Sequence, residues 1–269
     1  MKLWTAATPN GWKVTIMIEE LKEAGIDIPD LELRTINLSK GEQFTPEYTR
    51  HCPNQKIPVL IDGETSVMES CAILQYLGEK FPTPLLPQDE RRWTVLQWLY
   101  WQAANVGPIF GNKLSYTRYM DDVPPEQRSH PITRFGNEAL RLASVLDQQL
   151  EGRDFVAGDD LSIADIAIYP WLRGYKWSKV DITPNSNVMA WIERVRARPG
   201  VERGLAYGVP KDEIDRWSPE RRSQYQQGGA SIANNEAIAD SIDTGERRPC
   251  AYRLSTYFPV MIHTISYVL

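Results

Sequence analysis

The chain has few of the residues that build metal centres and disulfide frameworks. Its 269 residues include only three histidines, at 51, 130 and 263, and three cysteines, at 52, 71 and 250. An odd number of cysteines cannot all pair within one chain, and no two of these form a C-x-x-C. The histidines have no metal-ligand spacing, so no metal site is expected. A reducing, cytoplasmic compartment follows from the same cysteine usage. Long apolar runs are also missing. None approaches the length of a membrane span, and the opening MKLWTAATPN lacks the apolar core of a secretory signal. Nor is there an excess of positive charge. With 30 Lys and Arg against 35 Asp and Glu, the net charge is −5, which removes the basic face a nucleic-acid partner requires. There is no internal repeat. What remains is ordinary globular material, 42% hydrophobic and 24% charged, sufficient for one large domain or two modest ones.

The patterning supplies a coarse layout. Residues 3–7 read as a first strand, followed by a helix to about residue 24. Thr8 suits the N-cap, and Pro9 suits the first helical position, where its missing N–H costs nothing. Val14, Met17, Ile18 and Leu21 share one face of that helix, and Gly25 stops it. Leu31, Leu33, Ile36 and Leu38 read as a second strand. A hairpin follows, from 57–61 through Asp62-Gly63 to 65–67. Pro58 cannot donate a ladder hydrogen bond, so it must begin a strand, lie on an edge or occupy a cis turn. Glu69-Ser70 then opens a helix marked by Ile73, Leu74, Leu77 and Phe81. The small α/β unit ends near Lys80, and FPTPLLP at 81–87 reads as a linker.

From Glu90 to about Arg198 the stripes are helical throughout. Ser162-x-x-Asp165 is a capping box, with Leu161 and Ile166 spaced as a hydrophobic staple. Seven of the nine tryptophans lie beyond residue 90, which predicts an aromatic-rich core there. Residues 205–269 differ, being first polar and then, over the final LSTYFPVMIHTISYVL, apolar and β-prone. No role is assigned to that extension.

Chemistry concentrates at two helix starts. Glu69 and Ser70 place a carboxylate and a hydroxyl at a positive helix end, a pairing that can hold both charges of an amino-acid zwitterion. Alone they also fit a plain helix start. Thr8, Asn10 and Gly11 likewise fit an N-cap and first turn. Cys52 lies beside His51, but adjacency in sequence does not supply the contact that activates a thiol. Cys71 reads as a small buried residue. Asp165 reads as a folding residue, and Trp93 to Trp101 as packing for core and interface.

Six motifs, at consistent spacing over residues 2–205, give these readings a family context. They are TPNG at 8–11, KGEQF at 40–44, PNQKIP at 53–58, ES at 69–70, LQWLYWQ at 96–102 and SIADIAIYPW at 162–171. Together they resemble the glutathione transferases, most of all the Nu-class bacterial and fungal Ure2p-like branches. The resemblance implies a thioredoxin-like α/β domain over 1–82, an all-helical domain over 88–204 and a homodimer. It also implies glutathione as co-substrate, acting on an electrophilic or disulfide small molecule.

Residue by residue, Thr8 and Asn10 would steady the glutathione thiolate, replacing the tyrosine or serine of other branches. Glu69 would take the γ-glutamyl ammonium, and Ser70 with its N–H the carboxylate. The Ile57 backbone would pair with the cysteinyl unit, held open by a cis Pro58. Gln43 and Lys56 would approach the glycyl end, although Lys56 also fits a solvated lysine. Arg134 would reach across the dimer to the other protomer's glutathione. Cys52 does not match the cysteine that some branches use. The alternative to an enzyme is a glutathione-binding regulator or adaptor on the same fold.

Overall fold

In a computed structural model, the structure describes residues 1–120 and 123–207. The expectations for residues 208–269, with Cys250 and His263, lie outside the described residues.

Strand β1 (Lys2–Thr5) leads through Thr8 into α1 (Pro9–Glu23). Thr8 is the N-cap, its Oγ1 accepting the Gly11 N–H at 3.3 Å. Strand β2 (Glu32–Thr35) returns parallel to β1, pairing Leu3 with Leu33 and Thr5 with Thr35. It is shorter than the sequence implies, and Leu33 is 38% exposed, because β2 is the sheet edge. Two 3-10 turns over 38–44 precede a helix absent from the sequence reading, α2 (Pro46–His51). Thr45 caps α2 and Pro46 opens it, repeating the Thr8-Pro9 signal.

The hairpin appears as β3 (Val59–Asp62) and β4 (Thr65–Met68), turning at Gly63 with φ +60°. The sheet order is β2-β1-β3-β4, with β3 antiparallel to both neighbours. Alternation along the strands then separates two layers. Leu3 and Leu60 face α1 (with α3, below), while Trp4, Val59 and Ile61 face Tyr48 and Cys52 on the α2 side.

Helix α3 (Ser70–Lys80) closes the α/β unit. The remainder is helical: α4 (Arg91–Trp101), a π-helical stretch over Gln102–Val106, α5 (Gly107–Arg118), α6 (Pro125–Gln149), α7 (Ile163–Leu172), α8 (Ser186–Arg196) and α9 (Pro199–Ala206). Irregular segments at 150–162 and 173–185 interrupt the continuous helical reading. The helical core does carry aromatics: Phe110, Tyr169 and Trp191 are buried, and Trp98, Trp101 and Trp171 pack partly against it, whereas Trp93 is 71% exposed.

The capping box of α7 forms. Asp165 accepts from the N–H groups of Ser162 and Val156, from Ser162 Oγ and from Trp191 Nε1, all between 2.8 and 3.0 Å. Four such bonds tie the loop before α7 and helix α8 to one buried carboxylate, a role in folding. Helix α9 lies against α1, where the Thr15 hydroxyl donates to Gly204 O at 2.7 Å. Arg198 donates to both carboxylate oxygens of the buried Glu20. The apolar cluster on the α1 face of the sheet therefore continues through α1 into the helical region, while the smaller cluster on the α2 side stays within the α/β unit.

Candidate functional site

Two helix N-termini build the site. At the start of α1, Thr8 is extended (φ −134°, ψ 164°). Because its oxygen already accepts from Gly11, the hydroxyl proton remains available to another acceptor. Asn10 is half-buried, and its Oδ1 accepts from Trp171 Nε1 at 3.1 Å. That bond fixes the amide so that Nδ2 is left as its free donor. Gly11 allows the close turn, since a Cβ there would lie 1.9 Å from Ala6 O. Two neutral donors thus stand at the positive end of a 15-residue helix, and neither can remove a proton.

At the start of α3, the Ile57–Pro58 bond is cis, and Pro58 is buried immediately before β3. Glu69 is exposed and has φ +70°, ψ 117°, a region that side chains other than glycine rarely adopt. Its Oε1 accepts from Asn54 Nδ2 at 3.2 Å, which steadies the carboxylate beside the helix end. Ser70 is buried below it.

Lys13 joins the two termini. It is 2% exposed, and its Nζ donates to Gln102 Oε1 at 2.7 Å, Ser70 Oγ at 3.2 Å and Cys71 Sγ at 3.8 Å. Burial pushes the lysine below its ordinary range and pushes the Cys71 thiol above its own.

The other candidates are less tightly gathered. Gln43 is 1% exposed, and neither end of its amide meets a hydrogen-bond partner within the protein. Lys56 is exposed, and its carbonyl accepts from Tyr48 OH at 2.8 Å and Cys52 Sγ at 3.2 Å. Ile57 packs partly against the α2-side cluster. Arg134 is exposed on α6, with no hydrogen bond to any other candidate.

Cys52 is buried and its thiol faces a carbonyl, while His51 Nδ1 lies 2.7 Å from Ser66 Oγ. That is not a nucleophile with its base. Among the described residues no group of three or more His, Cys, Asp or Glu could hold a metal ion.

Sequence reasoning missed Lys13, Asn54, Gln102 and Trp171. Asn54, Gln102 and Trp171 stand within the motifs at 53–58, 96–102 and 162–171 without a role of their own, and Lys13 left the signal of a charge one turn before Met17.

A thioredoxin-like sheet domain, a helical domain and paired helix termini at their junction define a glutathione-handling class. The glutathione S-transferase N-terminal domain matches residues 1–79 and the glutathione S-transferase C-terminal domain matches 136–199, and the chain belongs to the glutathione S-transferase family. It is 36% identical over 218 residues to the disulfide-bond oxidoreductase YfcG of Escherichia coli, covering 78% of this chain and 97% of that protein. A structure of glutathione transferase YghU from Streptococcus pneumoniae, complexed with glutathione, is 37% identical with a TM-score of 0.71, over 77% of this chain and 83% of that one. A glutathione transferase from Pseudomonas putida, with one glutathione disulfide bound per subunit, is 35% identical with a TM-score of 0.69, over 76% and 90%.

Proposed function

We propose that the protein is a glutathione-dependent enzyme that reduces disulfides and transfers glutathione to electrophiles. Residues 1–82 hold glutathione, residues 88–204 present the second substrate, and the thiolate lies at the start of α1. The observation that carries this reading is Glu69, an exposed acid in a strained backbone conformation at a helix N-terminus, with its carboxylate held by Asn54. Strain of this kind concentrates where geometry serves binding. Glu69 takes the γ-glutamyl ammonium, while Ser70 and the N–H groups of α3 take the carboxylate. The cysteinyl backbone lies along Ile57 and Pro58, and Gln43 and Lys56 approach the glycyl carboxylate. The relatives named above, a disulfide-bond oxidoreductase and transferases with glutathione or its disulfide bound, support the same chemistry.

At the α1 terminus Thr8 donates its hydroxyl proton and Asn10 its amide hydrogens to the glutathione sulfur, favouring the thiolate. The proton leaves to solvent, because neither residue is a base. The thiolate then attacks one sulfur of a disulfide, the S–S bond breaks, and the departing thiolate is protonated. A second glutathione cleaves the mixed disulfide in the same way, giving glutathione disulfide and a second free thiol. No protein nucleophile takes part.

The assembly is a homodimer. Trp93 and Tyr100 on α4 and Met68 on β4 are exposed apolar groups suited to a second copy, across which Arg134 reaches the other protomer's glutathione. The location is cytoplasmic, in keeping with the free buried thiols Cys52 and Cys71.

Replacing Glu69 by alanine tests the reading. Loss of a charge-assisted contact should weaken glutathione binding by about 1.5–3 kcal/mol in calorimetry. Unchanged affinity in a folded variant would remove the γ-glutamyl assignment.

A further inference from the structure

Four polar groups meet in the interior where α1, α3 and the π-helical stretch cross, and the reaction above uses only one of them, Ser70. At the centre, Lys13 Nζ has three acceptors within reach: Gln102 Oε1, Ser70 Oγ and Cys71 Sγ. Burial favours the neutral amine, but three acceptors match the three N–H donors of an ammonium, so the geometry suits the charged form. Cys71 lends no countercharge, since burial holds its thiol protonated and the thiol donates to Gln102 Oε1 at 3.2 Å. Among the described residues no carboxylate lies within ion-pair distance of Lys13; Glu69, at the start of α3, acts on it only through space. Burying a cation without an anion is unfavourable. A charged Lys13 therefore favours negative charge nearby, and Ser70, which it touches, stands at a helix N-terminus that favours the same.

Ser70 is the route by which the charge reaches a ligand. Because Lys13 can only donate, Ser70 Oγ is the acceptor in their bond, and its single hydroxyl proton, whose acceptor within the protein is the weak Cys71 sulfur, can turn to a charged acceptor at the helix end. Ser70 is also the first residue of an 11-residue helix, whose free N–H groups and dipole favour negative charge. We propose that Lys13 is a positioning residue of the glutathione site, fixing the Ser70 hydroxyl as a donor and making this pole selective for a carboxylate over a neutral group. Glu69, the residue before it at the same helix start, reads the ammonium. Each charge of the zwitterion then has its own reader, an inference that rests on the γ-glutamyl assignment above.

Calorimetry with thiol-blocked ligands separates the two readers. The probes are S-methylglutathione, its 4-aminobutanoyl analogue lacking the α-carboxylate, and its glutaryl analogue lacking the ammonium. The wild-type protein should bind each analogue about tenfold or more weakly than S-methylglutathione, as expected for a lost charge-assisted contact. In Lys13→Met the penalty for the missing carboxylate should largely vanish while the penalty for the missing ammonium stays. Glu69→Gln should show the reverse pattern. Gln102→Glu gives Lys13 an internal carboxylate and should act like Lys13→Met, so the test stands if the methionine variant does not fold. If the carboxylate penalty persists undiminished in whichever of these two variants folds, Lys13 has no part in selectivity. If the wild-type protein itself binds all three ligands equally, the γ-glutamyl assignment fails, and that outcome is distinct.

Discussion

At the scale of single residues, the site opposes stability at one position and depends on distant support at another. Glu69 keeps φ at +70°, a conformation that costs a side-chain-bearing residue about 1–3 kcal/mol. Glycine adopts positive φ without that cost but loses about 0.5–1 kcal/mol of chain entropy on folding. Glu69→Gly should therefore raise stability by roughly 1 kcal/mol in chemical denaturation. It should at the same time weaken glutathione as Glu69→Ala does. A variant both less stable and equally tight would separate the strain from the binding role. Asn10 shows the second kind of dependence, because the indole of Trp171 holds its amide from 161 positions away. Trp171→Phe frees the amide to turn, so the thiol of bound glutathione should titrate at higher pH, as ultraviolet thiolate absorbance can follow. Asn10→Ala should produce the same shift, and combining the two changes should add little. Thr8, Asn10, Glu69 and Ser70 were legible in the sequence because their chemistry and their place at a helix start are both local. Trp171, Asn54 and Gln102 were not, since each matters through a partner that only the folded chain brings near.

At the scale of elements, legibility followed how each segment is buried. The Asp62-Gly63 hairpin and the capping box of α7 formed as their patterns require, whereas α1 is buried well beyond its one apolar stripe, Trp12, Thr15 and Ile16 included. Strand β2 was overdrawn because apolar residues at a sheet edge carry the same alternation as buried ones. Helix α2 is six residues long, too short for a periodic stripe, and only Thr45-Pro46 announced it. Among the tryptophans of α4, only Trp93 departs from a core reading, since it lies at the surface while Trp98 and Trp101 pack partly against the core. Helix α1 is the element on which the domains converge, with α3 on one side and α7 and α9 on others. The contact with α9 is close, since a Cβ on Gly204 would come within 2.5 Å of Ile16 Cα. Backbone cannot yield as a side chain can, so Gly204→Ala should push α9 away and cost about 1–3 kcal/mol, the range for overpacking. It should loosen the Arg198–Glu20 pair with it, visible as faster amide exchange along both helices. Gly152→Ala gives a useful contrast, since its Cβ would meet no atom within 4 Å and its φ of +69° imposes only local strain. Exchange in α1 should stay as in the wild-type protein.

At the scale of the whole molecule, the question is which sulfur attacks. Cys52 and Cys71 are buried on opposite sides of the sheet domain. The first donates to a carbonyl, and the second is wedged between Lys13 and Gln102 with its thiol pushed up by burial. A thiol that resists ionisation and is closed to solvent is a poor nucleophile. Cys250 lies outside the described residues, so it has to be tested together with them. The helix terminus carrying Thr8 and Asn10 offers hydrogen-bond donors without a base, an arrangement that suits a nucleophile arriving on the substrate and indifferent to whether the target is carbon or sulfur. Exchange with a disulfide needs only a thiolate, a reachable sulfur and an acceptable leaving thiol. The protein should therefore reduce small disulfides with glutathione and conjugate a generic aryl halide weakly. Reduction should persist when Cys52, Cys71 and Cys250 are all changed to serine. Some loss of stability is expected at position 71, where a hydroxyl would replace a sulfur within the Lys13 cluster, so folding and glutathione affinity need to be measured beside turnover. A triple variant that folds and binds glutathione with wild-type affinity yet reduces nothing would identify a protein thiol as the nucleophile and overturn the mechanism. One that reduces at a rate within about threefold of wild type, a difference of less than 1 kcal/mol in barrier, would place the attacking sulfur on glutathione.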